Sequence, residues 1–253
     1  MKRFLPAYAC AAYLFLYLPL AALGVFSFSN SKIAVWHGFT LAWYGGVFRN
    51  AALMEGALNS LLIAAVATVA ATFIGTLAAY ALWKKRLAWL TGSLYLSLLS
   101  PEIVTGISLL AFFQWTFHSL KLQLGMHTVI LAHISFSLAY VVIVILARLR
   151  TFDRSLEEAA LDLGANEWQV FRFVTVPLLL PGIVAAALLC FTVSFDDYVI
   201  TSLVAGVNSE TLPMIIYAMA RKGVSPEVNA LSVMITVGLG ALALISGRLE
   251  RAR

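Results

Sequence analysis

The chain has 253 residues, 62% of them hydrophobic and 11% charged, with a mean hydropathy of +0.92. A water-soluble domain is nearer half apolar and a quarter charged, so most of this chain does not face water. The formal charge of +5 comes from basic residues gathered in particular loops, which is an orientation signal and gives little support to nucleic-acid binding.

Crossing about 30 Å of hydrocarbon takes roughly 20 apolar residues. Six stretches meet that length, near Tyr8–Phe28, Leu58–Leu82, Trp89–Phe117, Thr128–Ala147, Leu178–Val204 and Val228–Ser246. The expected fold class is therefore an all-α membrane protein with six transmembrane helices. The first stretch follows Lys2 and Arg3, as a signal peptide would. Its apolar run is too long for one and no A-x-A cleavage site follows, so it is expected to stay as a helix. After it comes an exterior loop with Trp43, Tyr44 and Phe48, aromatic residues that suit a short helix lying at the membrane surface.

The second span carries Ala67, Ala71, Gly75 and Ala79 at every fourth position. Small residues at that spacing let another helix approach closely in lipid. The third span is longer than a crossing needs, and Pro101 is expected to kink it. Of the seventeen Lys and Arg residues, twelve fall on one side: Lys2, Arg3, Lys84, Lys85, Arg86, Arg148, Arg150, Arg154, Arg172, Arg248, Arg251 and Arg253. Lys32, Arg49, Lys121, Arg221 and Lys222 fall on the other. The positive-inside rule then puts both termini in the cytoplasm. Cys10 and Cys190 lie inside apolar spans and imply no disulfide framework. His118, His127 and His133 lack a metal-ligand spacing on one helix face and suit interfacial or packing roles.

Between the fourth and fifth spans the greasy pattern stops at "SLEEAALDLGANEWQVFRFVTVPLLLPG". Ser155 and Glu158 fit a capping box, Gly164 can end a helix in the left-handed conformation, and Asn166 with Gln169 fits a second capping box. Pro177 and Pro181 mark the return to the bilayer. The segment is expected to form two short cytoplasmic helices around a glycine turn. Its spacing, Glu158-Ala159-Ala160, three residues, Gly164, nine residues, then Val174-x-Val176-Pro177, resembles the "EAA" loop of ABC importer permeases. "SPEIVTGISLLAFF", "SFDDYVITSLVAG" and "LPMIIYAMARKGVSPEVNALS" resemble the spermidine/putrescine permeases, and within them the C-type membrane subunit.

That resemblance implies a type I importer permease fold, a single transmembrane domain over 1–253 with a core at about 56–247, and a coupling loop at 151–177. It implies a second homologous permease, two copies of an ATP-binding subunit and an external polyamine-binding protein. Glu158, Ala159, Ala160, Gly164 and Glu167 would form the contact with the ATPase. No Gly-Lys dipeptide occurs in the chain, so it cannot hold a Walker A loop and ATP must be hydrolysed elsewhere. No nucleophile–base pair or metal cluster is visible, which argues against an enzyme, and no cofactor is implied.

Glu102, Asp196 and Asp197 are the three carboxylates placed within apolar stretches. Charges at such depth are costly and usually face a cavity or a partner. Carboxylates pair with separated ammonium groups, and Trp43 and Tyr198 offer cation–π faces. These five residues are the candidate substrate path. Two readings are open for several of them. Glu102 either faces substrate or satisfies a donor freed by the Pro101 kink, Trp43 is either a ligand or an interfacial anchor, and either aspartate could face the path. The rival functions are an ABC permease for another organic cation, iron or an anion, and a proton-coupled secondary transporter.

Overall fold

The computed structural model describes residues 4–31, 35–85, 87–120, 122–223 and 226–251, together with most of their side chains. Lys2, Arg3, Lys32, Arg86, Lys121 and Arg253, used above for orientation, lie outside the described residues. So do the side chains of His118, Arg248 and Arg251. Among the described residues the chain is helical, in the order α1 (Phe4–Phe26), α2 (Ala42–Arg49), α3 (Ala51–Lys85), α4 (Ala88–Leu99), α5 (Glu102–Leu120), α6 (Met126–Arg150), α7 (Ser155–Asp162), α8 (Glu167–Val170), a π-helical turn (Phe171–Thr175), α9 (Val176–Asp196), α10 (Val199–Val204), α11 (Leu212–Arg221) and α12 (Pro226–Arg251).

Four stretches are long and apolar enough to cross a membrane: Tyr8–Phe26, Ala51–Lys85, Met126–Arg150 and Glu167–Asp196. The sixth expected span, Val228–Ser246, is helical throughout as part of α12.

Two expected spans are broken. The third is not one kinked helix but a pair, α4 and α5, bent by 107°. Ser100 is extended (ψ 131°), the conformation that the ring of a following proline imposes, and α5 starts afresh at Glu102. The fifth span does not run to Val204. It ends at Asp196, and Asp197 is extended (φ −67°, ψ 126°) before the short α10. Asp196 and Asp197 therefore do not lie on one continuous helix, because the backbone turns between them.

The chain forms two compact units, residues 1–55 with 215–253, and residues 56–214. In the first, α12 packs with α1 and α2. The segment before α2 is tied by an isolated bridge between Ser29 and Phe39 and by stacking of Phe28 on Phe39 and Tyr44. α2 is the short helix expected around Trp43. Large apolar side chains along α1, such as Phe15 and Tyr8, are exposed, as suits a helix whose solvent is lipid.

In the second unit α6 is the central post, packed along α9 and against α4, α5 and α10. One core cluster joins Ala71 and Ala79 of α3 to Val141, Val142 and Ile145 of α6 and to Leu179, Ala186 and Cys190 of α9. Another joins Ile63 of α3, Phe113 of α5, Val129 and Ala132 of α6, and Ile200 and Val204 of α10. The small-residue face of α3 is buried at Ala67, Ala71, Gly75 and Ala79. At Gly75 a Cβ would sit 2.6 Å from Cγ1 of Val141, so α3 and α6 meet there at a distance only glycine permits.

Candidate functional site

The two helix breaks of the second unit face the same space. The α4–α5 break presents Ser97, Ser100, Glu102 and Thr105, while the α9–α10 break presents Asp196, Asp197 and Tyr198. With Phe136 and Tyr140 of α6 they line a cavity of about 620 Å³. α5 and α10 pack closely behind it, Gly106 lying directly against Leu203 and Ile200. Glu102 stands in the first turn of α5, where a carboxylate is favoured by the positive end of the helix dipole. The structure thus brings four of the five expected path residues to one cavity. Tyr140 and Phe136 join them, although in the sequence they are ordinary aromatic residues in an apolar run.

The two aspartates differ in surroundings. Asp196 is exposed to the cavity. Asp197 turns inward, its side chain 6% exposed, and caps α10. Its Oδ2 accepts from the Thr201 backbone N–H at 2.8 Å and the Thr201 hydroxyl at 2.6 Å, and its Oδ1 from the Ile200 N–H at 3.4 Å. Behind Thr201 lies His133, which the sequence offered only as a packing histidine. It is fully buried and bonds Ser194 Oγ at 2.6 Å and Thr201 Oγ1 at 2.9 Å, with Asp197 Oδ2 3.5 Å from its Nε2. Spacing could not reveal this, because its partners lie 61 and 68 residues away in the chain.

The fifth expected path residue, Trp43, belongs to the other unit. Its indole N–H donates to the Ser29 carbonyl at 2.8 Å, which ties α2 to the loop before it. Any contact with a cation falls to its ring face.

A second candidate surface is built by α7 and α8. α7 ends as the sequence predicts, with Gly164 at φ +87°. The Ala165 N–H bonds the Ala160 carbonyl and the Gly164 N–H bonds the Leu161 carbonyl, which is a Schellman closure. Asn166 and Gln169 form the expected reciprocal cap of α8. The start of α7 differs. Ser155 is already inside the helix, Arg154 holds the N-cap position without a side-chain cap, and Asp153 before it accepts the Ser155 N–H at 3.0 Å. That bond holds the Asp153 carboxyl below its usual pKa range. Ahead of α9 the Val176 N–H bonds the Phe171 carbonyl, five residues back. This slip produces the π turn next to Pro177, whose nitrogen has no hydrogen to give the regular ladder.

The adjacent glutamates of α7 have opposite roles. Glu157 is buried and accepts hydrogen bonds from Thr175 Oγ1 at 2.5 Å and Tyr80 Oη at 3.2 Å, with Lys84 Nζ at 4.0 Å. It anchors α7 to α3 and to the π turn. Arg154 adds a second clamp, lying over the Trp83 ring at 4.3 Å and donating to the Trp83 carbonyl at 3.3 Å. Glu158, Ala159, Gly164 and Glu167 face outward and Ala160 is half-buried. Among them stand Leu163, 89% exposed, and Trp168, 63% exposed. Exposed apolar side chains on a charged, well-anchored loop make this face a candidate docking surface. The sequence motif singles out Glu158 and passes over Glu157, which fixes the orientation of the whole loop.

Comparison with known proteins places this architecture. Residues 71–252 match the family described as "Binding-protein-dependent transport system inner membrane component". The Escherichia coli K12 "Putrescine transport system permease protein PotI" is 42% identical over 239 residues, covering 92% of this chain and 85% of that protein. The "Spermidine/putrescine transport system permease protein PotC" of the same organism is 40% identical, covering 94% and 90%. In fold, the chain is similar to a bacterial alginate ABC transporter solved "in complex with alginate pentasaccharide-bound periplasmic protein", with a TM-score of 0.74 at 15% identity over 96% of this chain and 91% of that one. The chain therefore belongs to the family of inner-membrane components of binding-protein-dependent transport systems.

Proposed function

We propose that this chain is the C-type membrane subunit of an ABC importer for polyamines of the putrescine and spermidine class. As a membrane component of this family it is a transport subunit and not an enzyme, and ATP is hydrolysed by a separate chain. The observation that carries the solute class is the cavity lined by Glu102, Asp196 and the aromatic rings of Tyr140, Tyr198 and Phe136. Carboxylates pair with ammonium groups, and aromatic faces hold cations for about 0.5–2 kcal/mol each. Among the described residues neither Lys nor Arg lines the cavity, which weighs against an anion. The two relatives named for putrescine and spermidine support the same assignment.

In this reading an external binding protein delivers the polyamine, and Trp43 gives a cation–π contact at the outer surface. A second, homologous permease completes the pore. Two copies of an ATP-binding subunit dock on Glu158, Ala159, Ala160, Gly164 and Glu167, with Leu163 and Trp168 as apolar anchors. The whole chain acts as one permease in the bacterial inner membrane, with both termini in the cytoplasm. A reporter enzyme fused after Arg253 is then active only inside the cell, and periplasmic activity there refutes the orientation.

The deciding experiment is uptake of radiolabelled putrescine and spermidine into vesicles holding the assembled complex with its binding protein. ATP-dependent uptake that survives a protonophore is the expected result. Uptake driven by a proton gradient without the ATPase would return the chain to the secondary transporters. ATP-driven uptake of iron or an anion in place of polyamines would overturn the solute.

A further inference from the structure

The aspartate pair stands at the α9–α10 break, and its two members are held differently. The hydrogen atoms around Asp197 can be placed by elimination. The Thr201 hydroxyl has one hydrogen, and at 2.6 Å from Asp197 Oδ2 it is given to the carboxylate. The Thr201 oxygen is then an acceptor toward His133 Nε2 at 2.9 Å, so Nε2 carries a hydrogen. On the other side of the ring, Nδ1 is hydrogen-bonded to Ser194 Oγ at 2.6 Å. The result is one chain of hydrogen bonds from Ser194 through His133 and Thr201 to Asp197. It joins the last turn of α9, the middle of α6 and the first turn of α10.

Every member of this chain is shielded. His133 and Thr201 are fully buried and Ser194 nearly so, and the Asp197 side chain is 6% exposed. Both Asp197 oxygens are engaged, Oδ1 by the Ile200 N–H and Oδ2 by Thr201. An incoming ammonium group would have to break these bonds and open the start of α10. Asp196, one residue earlier, is exposed, as is Glu102 across the cavity.

We infer that His133 is a positioning residue which, through Thr201, commits Asp197 to holding the α9–α10 break, so that Asp196 and Glu102 are the carboxylates that meet the cation. The cation part rests on the polyamine reading; the division of roles between the aspartates rests on geometry alone. His133 acts without touching substrate. Removing it leaves the Ser194 and Thr201 hydroxyls without their buried partner, a costly arrangement in a low-dielectric interior. The break then loses its fixed shape, on which turnover depends, while Asp196 keeps its charge at the cavity.

Two measurements on the assembled complex test this. The first needs no substrate: labelling of carboxylates by a water-soluble carbodiimide and an amine, read by fragment-ion mass spectrometry. Asp196 and Glu102 should label while Asp197 stays unmodified, and His133→Leu should bring Asp197 into reaction. Equal labelling of Asp196 and Asp197 in the unaltered protein overturns the inference.

The second is a concentration series of putrescine uptake. Asp196→Asn should raise KM by about ten-fold, the loss expected of one charge-assisted bond. Asp197→Asn and His133→Leu should lower the maximal rate at little-changed KM. His133→Gln, which can donate to Thr201 and accept from Ser194, should recover most of that rate. If Asp197→Asn raises KM as Asp196→Asn does, or if Gln rescues no better than Leu, the positioning role is wrong. Should His133→Leu fail to assemble, the Gln variant and the labelling of the unaltered complex still decide. Should the unaltered complex carry no polyamine, the solute reading falls while the labelling still judges the roles of the two aspartates.

Discussion

Valine in place of Gly164 is expected to leave the subunit in the membrane while stripping it of its ATP-binding partner. Gly164 stands at φ +87°, a region that costs an ordinary L-residue roughly 1–2 kcal/mol and a β-branched one more. Nothing lies within 4 Å of where a Cβ would be, so the penalty is entirely one of backbone conformation. To escape it the chain must give up the bonds from Ala165 N–H to the Ala160 carbonyl and from Gly164 N–H to the Leu161 carbonyl, both of which close α7. Leu163 and Trp168 would then leave the arrangement in which α7 and α8 present them together. The spans are untouched, since Glu157 and Arg154 fix the loop from its other end. A graded series separates this account from a simple loss of contact. Asn, which tolerates positive φ, should retain most ATPase association, Ala less, and Val about a tenth or less. Co-purification of the ATPase with each variant, beside polyamine uptake, measures the series. Equal association for Asn and Val would mean that the turn conformation does not govern docking.

The length of the apolar runs located the four single-helix spans and the bent pair, because lipid demands so many consecutive apolar residues. Where the runs continue but the helix does not, composition is blind. "LLSPEIV" and "SFDDYVI" sit inside stretches that pass as single spans, yet each hides a sharp turn. Pro101 foretold a kink but not a 107° bend, which also needs the extended Ser100 and a helix restarting at Glu102. The α7–α8 loop was more legible because its signals are local: a glycine that needs positive φ and an Asn–Gln pair three residues apart. Even there Ser155 and Asp153 competed for one cap. Both have the chemistry, but the helix begins at Ser155 itself, which leaves Asp153, two residues earlier, to accept its N–H.

The least legible residues are those whose roles depend on distant partners. Glu157 is distinguished from Glu158 by Tyr80, 77 residues away, and by Thr175. His133 is distinguished from His127 by Ser194 and Thr201. Side chains joined across such separations in the chain carry no pattern that a single sequence can display.

Neutralising both exposed carboxylates of the cavity, Glu102→Gln with Asp196→Asn, should cut polyamine uptake more than any single change. Each variant keeps shape and removes charge, so packing and electrostatics are separated. Two unit charges at 4 Å attract by about 4 kcal/mol at an effective dielectric constant of 20. Most of that is repaid in desolvation, which leaves about 1.5–3 kcal/mol for a charge-assisted hydrogen bond. One lost pair is then worth about ten-fold or more in apparent affinity. Two lost pairs approach a hundred-fold, short of strict additivity because one flexible diamine engages both carboxylates. Since the carboxylates share one cavity of about 620 Å³, a molecule with two separated ammonium groups gains from both at once, and a monoamine of similar length gains from one. The double variant should therefore flatten the preference for putrescine over a monoamine while ATPase association stays intact. Competition of unlabelled monoamine and diamine against radiolabelled putrescine measures that preference directly. Uptake and selectivity unchanged in the double variant would leave Glu102 and Asp196 as structural residues and move the polyamine site elsewhere in the complex.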